Sequence, residues 1–210
     1  EAWLLGAVVL FCLCMHVALR AMSLIIVVGV VAVTVWLFAI DSAEAPLAHD
    51  NLDMTLSLTS SAFENGASIP ARFTCDGEGV SPALDIAGVP DGTKSLALLV
   101  DDPDVPKQLK PDGVFDHWTL FNIDPQTTRI AEGGTVGTAG VNGRGAQKYT
   151  GPCPPGEYEP TEHRYFFRLL ALDVMLDLAA GATKQEVLDA SAGHIVGEIS
   201  LMGKYRRSAQ

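Results

Sequence analysis

Hydrophobic and polar residues alternate with a period of two in several stretches of this chain, and the clearest is residues 95–102. Leu96, Leu98 and Val100 recur on one face, and Asp102 is the next residue on that same face. Alternation of this kind predicts a half-buried β-strand, because successive side chains of a strand point to opposite faces. An apolar face that ends in a carboxylate predicts a polar pocket at the margin of the core.

Two prolines predict where this strand ends. Pro103 and Pro106 lack a backbone donor and fix their own φ, so the chain must leave the sheet there. If the backbone stays extended, the carboxylates of Asp102 and Asp104 point the same way. The alternative is a strand-end turn, in which Asp side chains bond nearby backbone N–H groups.

Two further stretches place polar groups beside apolar strand faces. Residues 117–123 form a strand-like run that opens on His117, and residues 162–173 place His163 and Tyr165 ahead of an alternating apolar face. Together with Asp102 and Asp104, these side chains predict one small polar cavity. The loop GPCPPG at residues 151–156 is stiff and poor in donors, which suits Pro154 and Pro155 to a fixed wall.

The remaining pattern predicts a few more elements. Residues 54–59 alternate as a strand, and residues 69–74 predict a short strand after a turn at Asn65-Gly66. Thr183 and Glu186 match a capping box that begins a helix running to about Gly193. Residues 195–205 predict a last strand or a helix tail, and the glycine-rich residues 133–145 predict a surface loop.

The N-terminal segment differs from the rest in composition. Residues 21–40 carry no charge, and about 20 apolar residues are what a helix needs to cross a bilayer. Residues 1–40 therefore predict a membrane segment or a signal, either cleaved near Ala45 or kept as an anchor, with residues 41–52 as linker and residues 53–207 as one domain. We expect this domain to be exported, periplasmic or membrane-anchored; a two-span hairpin would return it to the cytoplasm.

The net charge bears on which macromolecules the domain can bind, and the cysteines bear on the compartment in which it folds. The net charge is −11, and Glu1 and Arg20 are the only charged residues before Asp41, so the acidity belongs to the domain. Such a surface disfavours nucleic acid and anionic lipid headgroups. Cys75 and Cys153 are either one disulfide of an exported domain or two separate buried thiols.

The motifs DPDVP, DHW, GPCPP and HRYFF, in this order, resemble the phosphatidylethanolamine-binding protein family, and most closely its bacterial Raf-kinase-inhibitor-like branch. The resemblance runs from about residue 54 to residue 205. It implies a mainly β fold, an antiparallel two-sheet β-sandwich with one or two peripheral helices. It also implies a pocket for phosphate-like anions and phosphoethanolamine headgroups, lined by Asp102, Asp104, His117, Pro154, Pro155, His163 and Tyr165.

The same residues leave other functions open. His117 with Asp104 as its partner could act as a general base, which makes a phosphoester hydrolase the alternative to a binding protein. Two histidines and two carboxylates also suit a divalent metal, but their spacing lacks a ligand motif, so we expect neither metal nor cofactor. The family's name leaves a protein partner open, and the N-terminal segment predicts contact with a membrane.

Overall fold

A computed structural model describes residues 55–207. The predictions for residues 1–40 and 41–52 therefore lie outside the described residues. Within residues 55–207, no helix combines the length and the apolar composition needed to cross a membrane.

The described residues form two antiparallel β-sheets and one α-helix, as the predicted mainly β fold requires. The smaller sheet has the order β1-β2-β5, and the larger has the order β6-β4-β3-β7-β8. The bounds are β1 Ser57–Thr59, β2 Leu84–Ala87, β3 Ser95–Asp102, β4 Phe115–Ile123, β5 Arg129–Ile130, β6 Thr138–Ala139, β7 Glu162–Leu172, α1 Lys184–Ser191 and β8 Ile195–Arg206.

Strand β3 is the centre of the larger sheet, and it is buried on both faces rather than half-buried as predicted. Leu96, Leu98 and Val100 lie in the core between the two sheets. Ala97 and Leu99 lie in a second apolar cluster on the opposite face, which also contains residues of β7 and α1. The alternation in the sequence therefore identifies one buried face of β3. The other face is buried by a helix about 85 residues later in the chain, which the alternation could not indicate.

One local prediction is wrong, and one open alternative is decided. Residues 69–74 do not form a strand: Ala71–Phe73 is a short 3₁₀ helix, and only Ser68 makes an isolated parallel bridge, to Lys204. Pro70 has no N–H to donate to a ladder, so an extended pairing cannot continue through it. The last segment is β8, a strand paired with β7 along its length. The capping box is confirmed at Thr183 and Glu186, although α1 ends at Ser191.

Candidate ligand-binding site

A cavity of about 250 Å³ opens where β3 ends and where β4 and β7 begin. Because neighbouring antiparallel strands run in opposite directions, the end of β3 lies beside the starts of both neighbours. Five of the seven predicted ligand-binding residues line this cavity: Asp102, His117, Pro154, Pro155 and His163. The other lining residues are Val105, Leu109, Phe115, Arg144, Thr150, Gly151 and Cys153.

Asp102 and His163 form a buried pair on the cavity wall. Asp102 Oδ2 lies 2.7 Å from His163 Nδ1, and the two side chains are 5% and 1% exposed. Asp102 Oδ1 accepts a hydrogen bond from the backbone N–H of Asp104, so the strand-end turn weighed from the sequence is also present. His163 Nε2 is buried with no hydrogen-bond partner among the described residues. The carboxylate therefore orients the ring and leaves Nε2 for a ligand.

His117 reaches the cavity because of a β-bulge. Val100 pairs with Trp118 and Asp101 pairs with Asp116, so one step along β3 matches two along β4, and His117 is the extra residue. A bulge of this kind changes the side to which a residue points. The bulge lets His117 and Trp118 lie on the core side together, although they are consecutive.

The backbone carbonyl of Thr150 fixes the tautomer of His117. His117 Nδ1 lies 2.6 Å from Thr150 O. A carbonyl oxygen can only accept, so Nδ1 carries the proton and donates it. Burial lowers the pKa of His117 below its ordinary value. The free protein therefore holds a neutral His117 whose Nε2 carries a lone pair.

Tyr165 lies next to this group, not on the cavity wall. Its ring meets the His117 ring edge-on at 5.2 Å between centroids, and its hydroxyl is buried with no hydrogen-bond partner among the described residues. Burial first, and then the charge of the nearby Asp102, raise the pKa of Tyr165. The hydroxyl thus stays protonated and keeps a hydrogen to donate.

The structure does not bring Asp104 into the cavity. Its carboxylate instead binds Arg164, with Oδ2 2.8 Å from Nε and Oδ1 2.7 Å from Nη2, and it also accepts the Arg164 backbone N–H. The Arg164 guanidinium holds the pKa of the Asp104 carboxyl below its usual range. The two carboxylates diverge because the turn after Asp102 ends the extended backbone on which the prediction depended. The predicted pairing of His117 with Asp104 as a general base is therefore not present, since Asp104 binds Arg164 instead.

The proline-rich wall is tied to a distant loop by a covalent bond. Cys75 and Cys153 form a disulfide, which decides between the two alternatives left open by the sequence. The Cys75 N–H also donates to the carbonyl of Pro152. A Cβ at Gly151 would lie 2.8 Å from the carbonyl oxygen of Phe73, so this approach requires glycine. The loop segments around Cys75 and Cys153 are thus held together where Pro154 and Pro155 line the cavity.

Arg144 is the functional candidate that sequence reasoning missed. It follows β6 in the glycine-rich residues 133–145, which the sequence predicts as a surface loop but which contain that short strand. Arg144 is the only charged residue of these positions, and it lines the cavity. Buried Asn142 holds its position: Asn142 Oδ1 accepts the Arg144 and Ala146 N–H groups, and Nδ2 donates to Thr150 Oγ1 and Lys148 O. The lone cation was visible in the sequence, but its place at the cavity was not.

The cavity therefore combines histidine nitrogens on its inner wall with an arginine at a solvent-exposed loop and an apolar edge. Within residues 55–207, no three His, Cys, Asp or Glu side chains form a group able to hold a metal ion. The arrangement suits a ligand with hydrogen-bonding oxygens at one end.

Comparisons with known proteins agree with this architecture. A family model described as phosphatidylethanolamine-binding protein matches residues 59–206. The chain is 47% identical over 161 residues to a UPF0098 protein of Methanothermobacter thermautotrophicus, covering 72% of this chain and 99% of that relative. A UPF0098 protein of Chlamydia pneumoniae is 43% identical over 154 residues, covering 73% and 100%.

Solved structures give the same result. A putative phosphatidylethanolamine-binding protein homologue from Chlamydia trachomatis superposes with a TM-score of 0.69 at 41% identity, covering 73% of this chain and 99% of that one. YbcL of E. coli, described as a new member of the mammalian family, gives a TM-score of 0.65 at 25% identity, with coverage of 73% and 99%. This chain belongs to the phosphatidylethanolamine-binding protein family.

The buried, neutral His117 predicts a pH dependence of stability. The unfolded chain protonates this histidine with an ordinary pKa near 6.5, whereas burial lowers the folded pKa. The unfolded state therefore binds more protons below about pH 6.5, and the free energy of unfolding should fall as the pH drops from about 7.5 to 5.5. Urea unfolding across this range measures the slope.

A matched variant isolates the contribution of His117. In His117→Asn, the amide can still donate to Thr150 O in place of Nδ1, but it does not titrate. The slope of unfolding free energy against pH should therefore be smaller in the variant. An equal slope in both proteins would assign the effect to other groups.

Proposed function

We propose that the cavity binds a small polar or anionic ligand with phosphoryl oxygens, such as phosphate or a phosphoethanolamine headgroup. One observation carries this proposal: His163 Nε2 is buried, lacks a partner among the described residues, and belongs to a ring that lines a cavity of about 250 Å³. A buried polar atom without a partner is costly. With Nδ1 donating to Asp102, a neutral His163 accepts at Nε2 from a ligand O–H or N–H, and a protonated ring would donate there to a ligand oxygen. The name of the family, and of its homologue in Chlamydia trachomatis, points to the same headgroup.

The charges of the cavity are compatible with an anion. Asp104 is neutralised by Arg164 outside the cavity, so Asp102 is the carboxylate that an anion meets. Asp102 accepts a hydrogen bond from His163 Nδ1, which occupies one of its carboxylate oxygens. Arg144 places a cation at the cavity. An ammonium group on the ligand would offset Asp102, which favours a zwitterion over bare phosphate.

The edge of the cavity favours a ligand with an apolar continuation. Val105, Phe115 and Leu109 are among the lining residues, and Leu109 is 53% exposed. An apolar side chain so exposed beside a polar cavity can cover the part of a headgroup that joins its lipid. This supports a phospholipid headgroup as the ligand class, with free phosphoethanolamine as its simplest probe.

An NMR titration of the full chain with phosphoethanolamine tests this function. The five histidines give few imidazole signals, and those of His117 and His163 should shift saturably while His194, which pairs with Asp173, stays fixed as an internal control. Phosphorus NMR on the same sample should show the ligand intact. Release of phosphate would instead establish the hydrolase. Absence of shifts would exclude phosphoethanolamine as ligand.

We further propose that the domain lies outside the cytoplasm. The disulfide supports this, because such bonds persist mainly in oxidising compartments. Trapping thiols in intact cells should leave Cys75 and Cys153 unmodified. Their quantitative alkylation would contradict an exported location.

Arg144 supplies a prediction for ligand affinity. Replacing it with Gln should weaken phosphoethanolamine binding by roughly tenfold, because a charge-assisted hydrogen bond contributes about 1.5–3 kcal/mol. Stability should not change, since the side chain is exposed. Calorimetric titration measures the dissociation constant. Arg129→Gln, which removes a cation paired with Asp85 in the smaller sheet, is the matched control and should bind normally.

A further inference from the structure

Two carboxylates face each other at the bulge that places His117. Asp101 of β3 and Asp116 of β4 are directly opposite in the register. Each is the immediate neighbour of a cavity residue, Asp102 in one strand and His117 in the other. Like charges in directly opposite positions destabilise a strand pair. Without a cation between them, these two carboxylates would weaken the pairing of β3 and β4 beside the cavity.

Lys184 lies between the two carboxylates. Its ammonium is 3.0 Å from Asp101 Oδ2 and also forms an ion pair with Asp116, and its side chain is only 12% exposed. Asp101 also pairs with a second cation, since Arg168 Nη2 lies 3.5 Å from Asp101 Oδ2. The same guanidinium is shared with Glu198, whose Oε1 lies 3.9 Å from Arg168 Nη1. For Asp116, Lys184 is the cation found among the described residues. Neutralisation of the two carboxylates at the bulge therefore depends on Lys184.

The position of Lys184 in the helix is unusual for a cation. It is the first residue of α1, immediately after the N-cap Thr183. The N-terminus of a helix carries partial positive charge, so a lysine there is unfavourable for the helix itself. The two carboxylates compensate for this. The ion pairs of Lys184 with Asp101 and Asp116, and not a contribution to helix stability, thus explain a lysine at this position.

The fold holds the start of α1 against this part of the sheet. Val141 N–H donates to Ala182 O, and Gly181 N–H donates to Ala139 O. A Cβ at Gly140 would lie 2.4 Å from Ala182 O, so the close approach requires glycine. The glycine-rich loop that presents Arg144 therefore also fixes the backbone that carries Lys184.

We propose that Lys184 is a positioning residue for the cavity: by bridging Asp101 and Asp116 from the helix-covered face, it stabilises the bulge that directs His117 to the opposite face. The effect on ligand affinity rests on the proposed function. The effect on His117 does not, since it concerns the ligand-free protein. Removing the ammonium should loosen the bulge and, with it, the hydrogen bond from His117 Nδ1 to Thr150 O.

The test follows the Nδ1–H proton of His117 by NMR in the full chain without ligand. Lys184→Met should speed exchange of this proton with water about fivefold, the factor that corresponds to about 1 kcal/mol, the upper end of the range for a cross-strand side-chain pair. The double variant Lys184→Met/Asp116→Asn removes the repulsion and should restore slow exchange, which mere loss of lysine packing would not allow. Arg129→Gln, which breaks a surface ion pair elsewhere, should change nothing.

The outcomes separate the two proposals. Unchanged exchange in Lys184→Met, or no recovery in the double variant, would overturn the positioning role. If Lys184→Met does not fold, the double variant decides: recovery of the fold and of the protected Nδ1–H supports the role, and failure overturns it. Phosphoethanolamine titration of the same variants should show about fivefold weaker binding only in Lys184→Met. Absence of binding in every protein would reject the proposed ligand while leaving the His117 result intact.

Discussion

Replacing Asp102 with Asn should weaken binding of phosphoethanolamine at neutral pH by at least about tenfold. Asp102 accepts hydrogen bonds from both His163 Nδ1 and the Asp104 N–H, and an amide has only one oxygen to offer. That single amide oxygen cannot accept from both donors, so the His163 ring is held less firmly and Nε2 is no longer fixed in place for the ligand. A charge-assisted hydrogen bond contributes about 1.5–3 kcal/mol, and each 1.36 kcal/mol is tenfold in affinity.

Asp104→Asn is the matched control for this variant. It removes a carboxylate two residues away that binds Arg164 rather than lining the cavity. Calorimetric titration should give an affinity close to that of the unmodified chain. Equal losses in both variants would place Asp104 in the binding site after all, as the sequence alone predicted. Normal binding by Asp102→Asn would remove the buried pair from the proposed mechanism.

Loss of the disulfide should lower the free energy of unfolding by about 4 kcal/mol. The bond joins residues 78 positions apart, and a cross-link stabilises mainly by restricting the unfolded chain, more so for longer loops. The double variant Cys75→Ala/Cys153→Ala avoids leaving a free thiol. Urea unfolding of the variant, with the oxidised unmodified chain as reference, measures the loss.

The same variant should also bind phosphoethanolamine more weakly, because Cys153 belongs to the cavity wall and the bond fixes the loop that carries Pro154 and Pro155. The unmodified chain treated with a reductant is the control, and it should approach the variant in both measurements. A stability loss well below about 2 kcal/mol, the lower end of the usual range, would show that the backbone contacts of this wall hold without the cross-link.

The sequence by itself determined which residues of the central strands share a face. Alternation over β3 assigned Leu96, Leu98 and Val100 to one buried face with Asp102 beyond them, and alternation over β7 did the same for His163 and Tyr165. The capping box at the start of α1 was also readable. Such features follow from neighbours in the chain, because strand pleat and helix capping act over two or three residues.

Only the tertiary structure decided how the cavity is assembled. The bulge at His117 depends on how β4 pairs with β3, the partner of Asp104 comes from β7, and Arg144 and Lys184 arrive from a glycine-rich loop and a helix distant in sequence. None of these placements has a periodic signal, since register shifts and ion pairs depend on the free energy of contacts between distant segments. Local pattern fixes which face a side chain takes along a regular strand; packing between strands fixes which side chains meet.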